Sequence, residues 1–405
     1  LVDIDTDAET QAEHQTSMKL INESSAAYIL YDTEKGQQIL TKEHTAAADA
    51  SLLARMMTCL IALENHSLTD KIHAKSTSVS ADGNFTITGG VAYTVDSLVS
   101  TALIGNSDNA ARLLAENTDL SGKSESFIAY MNEKALKMGM NNTYFTSTDG
   151  AENTLQKTTV LDTAIFIKNA LANSKFKNIY CSPVAVSWDS IIINNPNPLV
   201  IENTSSTLGG TFGRFGNTGP NGTVTCFYQK KGDDPLNSVS IILIVSGVNS
   251  ENFISVQKTL IHEFNISWEK RLYRQKGDII NTIPVGDEKL NLYLGNDIYF
   301  YTPVSASEYV ENTSFVYLQG KSPDVISPPI LAGTDVGAVR YRLKDGTVCE
   351  ITLYTQNTII TNSTTLNSIT AFIYRYYEIF IAILCLLLIV IALAGYKLYW
   401  HFTLK

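Results

Sequence analysis

Residues Ile379 to Tyr396, reading IFIAILCLLLIVIALAGY, run for eighteen positions without a charged side chain. At ~1.5 Å per residue a helix of that length covers ~27 Å, close to the ~30 Å hydrocarbon core of a bilayer. Tyr374, Tyr376 and Tyr377 precede the run, and Tyr399 and Trp400 follow it; such aromatic rings settle at the two membrane interfaces. Lys397, His401 and Lys405 come after the run, whereas Arg375 is the only base just before it. The positive-inside bias therefore puts a short tail in the cytoplasm and the bulk of the chain outside. A chain that begins at Leu1 suits a processed product whose export signal has been removed. The sequence thus predicts a single-pass cell-membrane protein with its transmembrane helix over residues 377–400.

The 405 residues exceed one ordinary domain and suit two plus what the ends carry. A net charge of -10 argues against nucleic acid as a partner, because holding a phosphate backbone needs clustered Lys and Arg. Cys59, Cys181, Cys226, Cys349 and Cys385 form no CxxC pair, and the six histidines form no HExxH motif, so neither a metal site nor a cofactor is expected. Buried free thiols are expected, with one disulfide among the four outer cysteines left open.

Residues 1–22 are acidic and poor in large apolar groups, which predicts a solvated lead-in segment. AAYILYDTEKGQQIL (26–40) reads as two strands around a turn, and ASLLARMMTCLIALE (50–64) as a helix with almost no polar face, which must lie at the centre of a core. Helices follow within Val95–Asn117, over Ser124–Met140 and over Thr159–Asn173. Strands are expected at Val224–Gln229 and Val239–Val248, and a closing helix at Phe253–Phe264. This pattern sets a mixed α/β domain over 23–268. From 277 to 355 short alternating strands broken by Gly, Asp and Pro predict a small all-β domain, and the Thr/Asn/Ser-rich residues 356–376 a stalk.

The segments AAYILYDTEKGQQIL, ASLLARMMTCLIALE, AYTVDSLVSTALIGNSDNAARLLAE and MNEKALKMGMNNTYFTSTDG, with PILAGTDVGAVRYRLKDG further on, resemble in order and spacing the serine D-alanyl-D-alanine carboxypeptidases. These are peptidase S11, the low-molecular-mass penicillin-binding proteins, and the likeness covers roughly residues 23–355. It implies a serine-peptidase domain of the β-lactamase and penicillin-binding-protein type, with motifs Ser-x-x-Lys, Ser-Asp-Asn and Lys-Thr-Gly. The implied setting is the cell wall, with a peptidoglycan stem peptide as ligand.

In the family the first motif opens a buried helix, with the lysine one turn after the serine so that burial can turn it into a base. Here Ala50-Ser51-Leu52-Leu53-Ala54-Arg55-Met56-Met57-Thr58 carries one residue too many between Ala-Ser and Met-Thr. If the helix body sets the register, Leu52 takes the nucleophile position and Arg55 the lysine position. If the helix start sets it, Ser51 is the serine and Ala54 stands for lysine. Neither register supplies a lysine, and an arginine with a pKa above ~12 does not act as a base at neutral pH. Ser107-Asp108-Asn109 matches the second motif as it stands, implying a proton shuttle at Ser107 and a substrate-amide contact at Asn109; three polar residues before a helix are also an ordinary N-cap. The third motif is matched by Asn217-Thr218-Gly219, which lacks the lysine that binds the substrate carboxylate; Thr211-Phe212-Gly213 with Arg214 is the alternative. A literal Ser-x-x-Lys at Ser255–Lys258 falls on the closing helix and reads as a solvated face.

The resulting expectation is a catalytically silent homologue that binds stem peptides weakly or scaffolds an unidentified envelope protein. The alternatives are an active carboxypeptidase of peptidoglycan maturation using Ser51, and a purely structural spacer for a membrane partner.

Overall fold

The computed structural model describes residues 18–19, 26–151, 155–188, 192–195, 211–215, 222–230, 234–248, 253–318, 326–360, 369, 372–373 and 375–403. The chain divides into two units: one holds residues 1–271 together with Phe300–Tyr309 and Lys344–Thr347, the other holds the rest.

The first unit is built on an antiparallel sheet. Strands β1 (Ala27–Asp32) and β2 (Gln38–Lys42) form the hairpin expected around the Glu-Lys-Gly turn. After them come the helices α1 (Ser51–Asn65), α2 (Val95–Leu103), α3 (Asp108–Asn117), α4 (Phe127–Met138), α5 (Val160–Ala170) and α6 (Ser174–Tyr180). Then β3 (Thr211–Phe215), β4 (Thr223–Lys230) and β5 (Val239–Ser246) complete the sheet in the order β2-β1-β5-β4-β3, and α7 (Phe253–Ser267) closes the unit.

The inner strands β1 and β5 carry long apolar runs, AYILY and IILIV, because both faces of the sheet are covered there. Side chains alternate across a strand, and the alternation is visible in the two cores. Ile29, Tyr31, Ile242, Ile244 and Phe227 join the cluster that holds α1 and its neighbouring helices. Tyr28, Leu30, Leu243, Val245 and Cys226 join Leu260, Ile261 and Phe264 of α7 on the other face. The result is a helix–sheet–helix sandwich. Helix α1 is its axis: every residue from Ser51 to Leu63 is buried, as its lack of a polar face requires.

In the second unit Ile279–Val285, Glu288–Leu294, Val348–Thr355, Asp335–Leu343 and Val310–Tyr317 pair in that order as an antiparallel all-β sheet. A further strand, Trp268–Arg274, follows α7 without a break; its mixed polarity hid it from the sequence reading. The chain ends in α8 (Tyr377–Thr403), in which Tyr377–Tyr396 is long and apolar enough to cross a membrane and none of that window is buried. Residues 1–17 and 20–22 of the lead-in, 23–25 of the domain after it, and 361–368, 370, 371 and 374 of the stalk lie outside the described residues. All five cysteines are free.

Candidate active site

Helix α1 begins at Ser51, whose hydroxyl donates to Asp49 Oδ1 at 2.7 Å while its amide donates to the same oxygen at 3.0 Å. An aspartate that accepts from the amide two residues on makes an Asx turn, so Asp49 holds Ser51 by main chain and side chain together, while the N-cap residue of α1, Ala50, makes no side-chain cap. Ser51 is only 4% exposed. Leu52, the nucleophile position in one register, is buried in the apolar cluster with Leu53 and Ala54.

The cation of the site is Arg55, four residues after Ser51 and therefore on the same helix face one turn further along. Its Nη1 donates to the Asp149 carbonyl at 3.0 Å and its Nη2 to Asn106 Oδ1 at 3.3 Å, and its buried Nε has no acceptor among the described residues. Ser51 opens the helix, and Arg55 reaches the neighbouring segments. The two stand four apart rather than three. Burial lowers the Arg55 pKa, and the nearby carboxylates of Asp108, Asp49 and Asp149 oppose that shift.

The second motif opens α3, with Ser107 as its N-cap and Asp108 and Asn109 as its first residues, rather than lying wholly on the loop before it. Asn106 adopts a left-handed backbone with φ of 63°, which Asn tolerates better than most residues, and this reverses the chain so that Ser107 can cap α3. Ser107 Oγ accepts from the Ala110 amide at 3.3 Å and donates to Asn109 Oδ1. The Asn109 amide nitrogen donates to the Phe85 carbonyl at 2.9 Å and to the Ser78 carbonyl at 3.2 Å. Both residues are almost fully buried. Ser107 and Asn109 are thus tied into the protein's own main chain as cap and brace.

A third wall, with no motif to mark it, is Thr148-Asp149-Gly150. The Thr148 carbonyl accepts from Thr58 Oγ1 at 2.6 Å. The Asp149 carboxylate takes Arg112 Nε at 2.9 Å and Nη2 at 2.6 Å, and Arg112 also reaches Asp108 at 3.3 Å. Burial works to raise the Asp149 pKa, but the hydrogen bonds from Arg112 and the Ala151 amide outweigh it and hold the carboxyl below its ordinary range. Gly150 has φ of +81°, and a Cβ there would lie 2.2 Å from the Ser51 carbonyl oxygen and 2.8 Å from Arg55 Nη1. No side chain fits at 150. The available signal was the Asp-Gly pair, which marks a turn, although nothing local says what the turn rests on.

Asn217, Thr218 and Gly219 lie outside the described residues. The alternative Thr211-Phe212-Gly213 forms most of β3, and Arg214 pairs with Thr225 of β4 in the sheet. Ser255 and Lys258 are exposed on α7, away from α1 and on the opposite side of the sheet. Among the described residues no group of three or more His, Cys, Asp or Glu is placed to hold a metal.

Residues 10–241 match the D-alanyl-D-alanine carboxypeptidase family, and residues 268–360 match the C-terminal domain of penicillin-binding protein 5. The D-alanyl-D-alanine carboxypeptidase DacF of Bacillus subtilis is 23% identical over 345 residues, 82% of this chain and 84% of DacF. Penicillin-binding protein 5 from Haemophilus influenzae superposes with a TM-score of 0.62 at 20% identity, over 82% of this chain and 96% of that one. A peptidoglycan synthesis regulatory factor (PBP3) from Streptococcus pneumoniae gives the same score and identity, over 82% and 98%. These two structures carry the fold.

Proposed function

The chain belongs to the D-alanyl-D-alanine carboxypeptidase family, and from that premise we propose that it is an envelope member that no longer forms an acyl-enzyme and acts by holding a peptidoglycan stem peptide. The observation that carries this reading is Arg55. Acylation needs a base to take the serine proton, and the cation beside Ser51 is a guanidinium whose Nη1 and Nη2 already donate to Asp149 and Asn106. Making it neutral at pH 7 would require a shift of about five pKa units, or roughly 7 kcal/mol, and three carboxylates oppose it. The Ser51–Asp49 hydrogen bond favours a second reading, an active carboxypeptidase in which Asp49 receives the proton. Against it, the same Asp49 oxygen is already occupied by the Ser51 amide.

Anchoring by α8 with residues 1–370 outside is part of the proposal, supported by its uncharged face and the basic residues after it. Protease added outside sealed vesicles should remove all but the anchor; protection of the first unit would refute the topology. For the ligand, a peptide ending in D-Ala-D-Ala should bind at high-micromolar to millimolar Kd, about -4 to -5.5 kcal/mol, with no release of D-Ala. No binding at 5 mM peptide would transfer the role to scaffolding of an envelope protein or to a spacer, and release of D-Ala would establish the active-enzyme reading.

A further inference from the structure

Thr148–Gly150 is fastened across the start of α1 by two successive carbonyls, to Thr58 Oγ1 at 2.6 Å and to Arg55 Nη1 at 3.0 Å. A Cβ at Gly150 would lie 2.2 Å from the Ser51 carbonyl oxygen, so this segment packs on the main chain of Ser51, which is itself 4% exposed. Of the two carbonyl attachments the one to Arg55 is buried and the one to Thr58 partly so, and both belong to α1 itself. The Asp149 carboxylate makes an attachment of another kind, to Arg112 on α3, whose side chain is 44% exposed against 9% for Asp149. A charge-assisted pair open to solvent on one side is the element that can exchange for water while the helices stay packed.

We propose that the Arg112–Asp149 pair is a latch: made, it holds the Thr148–Gly150 segment as a cover over Ser51, and broken, it admits small molecules to Ser51. Because Arg112 holds the Asp149 carboxyl below its ordinary range, the latch stays charged at neutral pH and opens by thermal fluctuation. The inference takes the surroundings of Ser51 as the ligand site of the proposed function, but its test involves neither peptide nor β-lactam, so the two stand or fall separately.

The test uses the full chain in bilayer nanodiscs with Ser51→Cys as a reporter, and alkylation by iodoacetamide read peptide by peptide in a mass spectrometer. Cys59, on the same helix and fully buried, is the internal standard for global opening. Adding Arg112→Gln should speed alkylation at position 51 about tenfold, the effect of losing one charge-assisted bond, with Cys59 unchanged. An unchanged rate at 51 would overturn the latch, and so would a parallel rise at 51 and 59. Alkylation of the parent at the rate of its urea-unfolded form would show that there is no cover.

Discussion

Replacing Arg55 by Met removes the guanidinium while keeping most of the side-chain volume. The Asp149 carbonyl loses a partner at 3.0 Å and Asn106 Oδ1 one at 3.3 Å, each a bond from a charged donor worth ~1.5–3 kcal/mol. Asp49, Asp108 and Asp149 lose the buried positive charge they face. The two bonds set a scale of about 3–5 kcal/mol, the range found when one side of a buried ion pair is deleted. With a urea slope of roughly 1–3 kcal/mol per molar, the unfolding midpoint should fall by more than about 1 M. Tryptophan fluorescence can follow it, since Trp188 and Trp268 both lie in the first unit. A change within about 0.5 kcal/mol, the scatter of ordinary surface substitutions, would show that the guanidinium does not brace the site.

Asp32 is 3% exposed at the end of β1, and burial raises its pKa to about 6, with the Lys35 amide pulling the other way. A folded-state pKa above the unfolded 3.8 contributes stability below about pH 4 that is lost as pH rises through 6. Asp32→Asn keeps an acceptor for the Lys35 amide and should therefore match the parent near pH 4 and exceed it by up to about 3 kcal/mol at pH 7; urea midpoints at the two pH values decide, and a pH-independent difference would refute the shift. Arg55→Lys should restore neither acylation nor D-Ala release, because residues 51 and 55 stand four apart where the family pair stands three apart; adduct formation by this variant would show that the guanidinium alone silences the site.

The sheet and its helices were legible because each carries its own pattern: the strands 224–229 and 239–248 are mostly apolar and rich in β-branched and aromatic residues, and 51–63 has almost no polar face. The N-cap at Ser107 was legible because capping is local, three polar residues before a helix being enough to mark it. The surroundings of Arg55 were not, because its partners lie 51 and 94 residues away, at Asn106 and Asp149. Sequence spacing along α1 offers Ser51 with Ala54 or Leu52 with Arg55, and it does not show that packing places Leu52 in the apolar core. Gly150 was hidden for the same reason, since its need for a bare backbone comes from the Ser51 carbonyl.

The central claim, that Arg55 leaves Ser51 without a base, is tested most directly by the intact mass of the full chain after incubation with a β-lactam. The concentration and time should be those that saturate a working carboxypeptidase treated alongside. The account predicts the unmodified mass. A stoichiometric adduct mapping to Ser51 would contradict it.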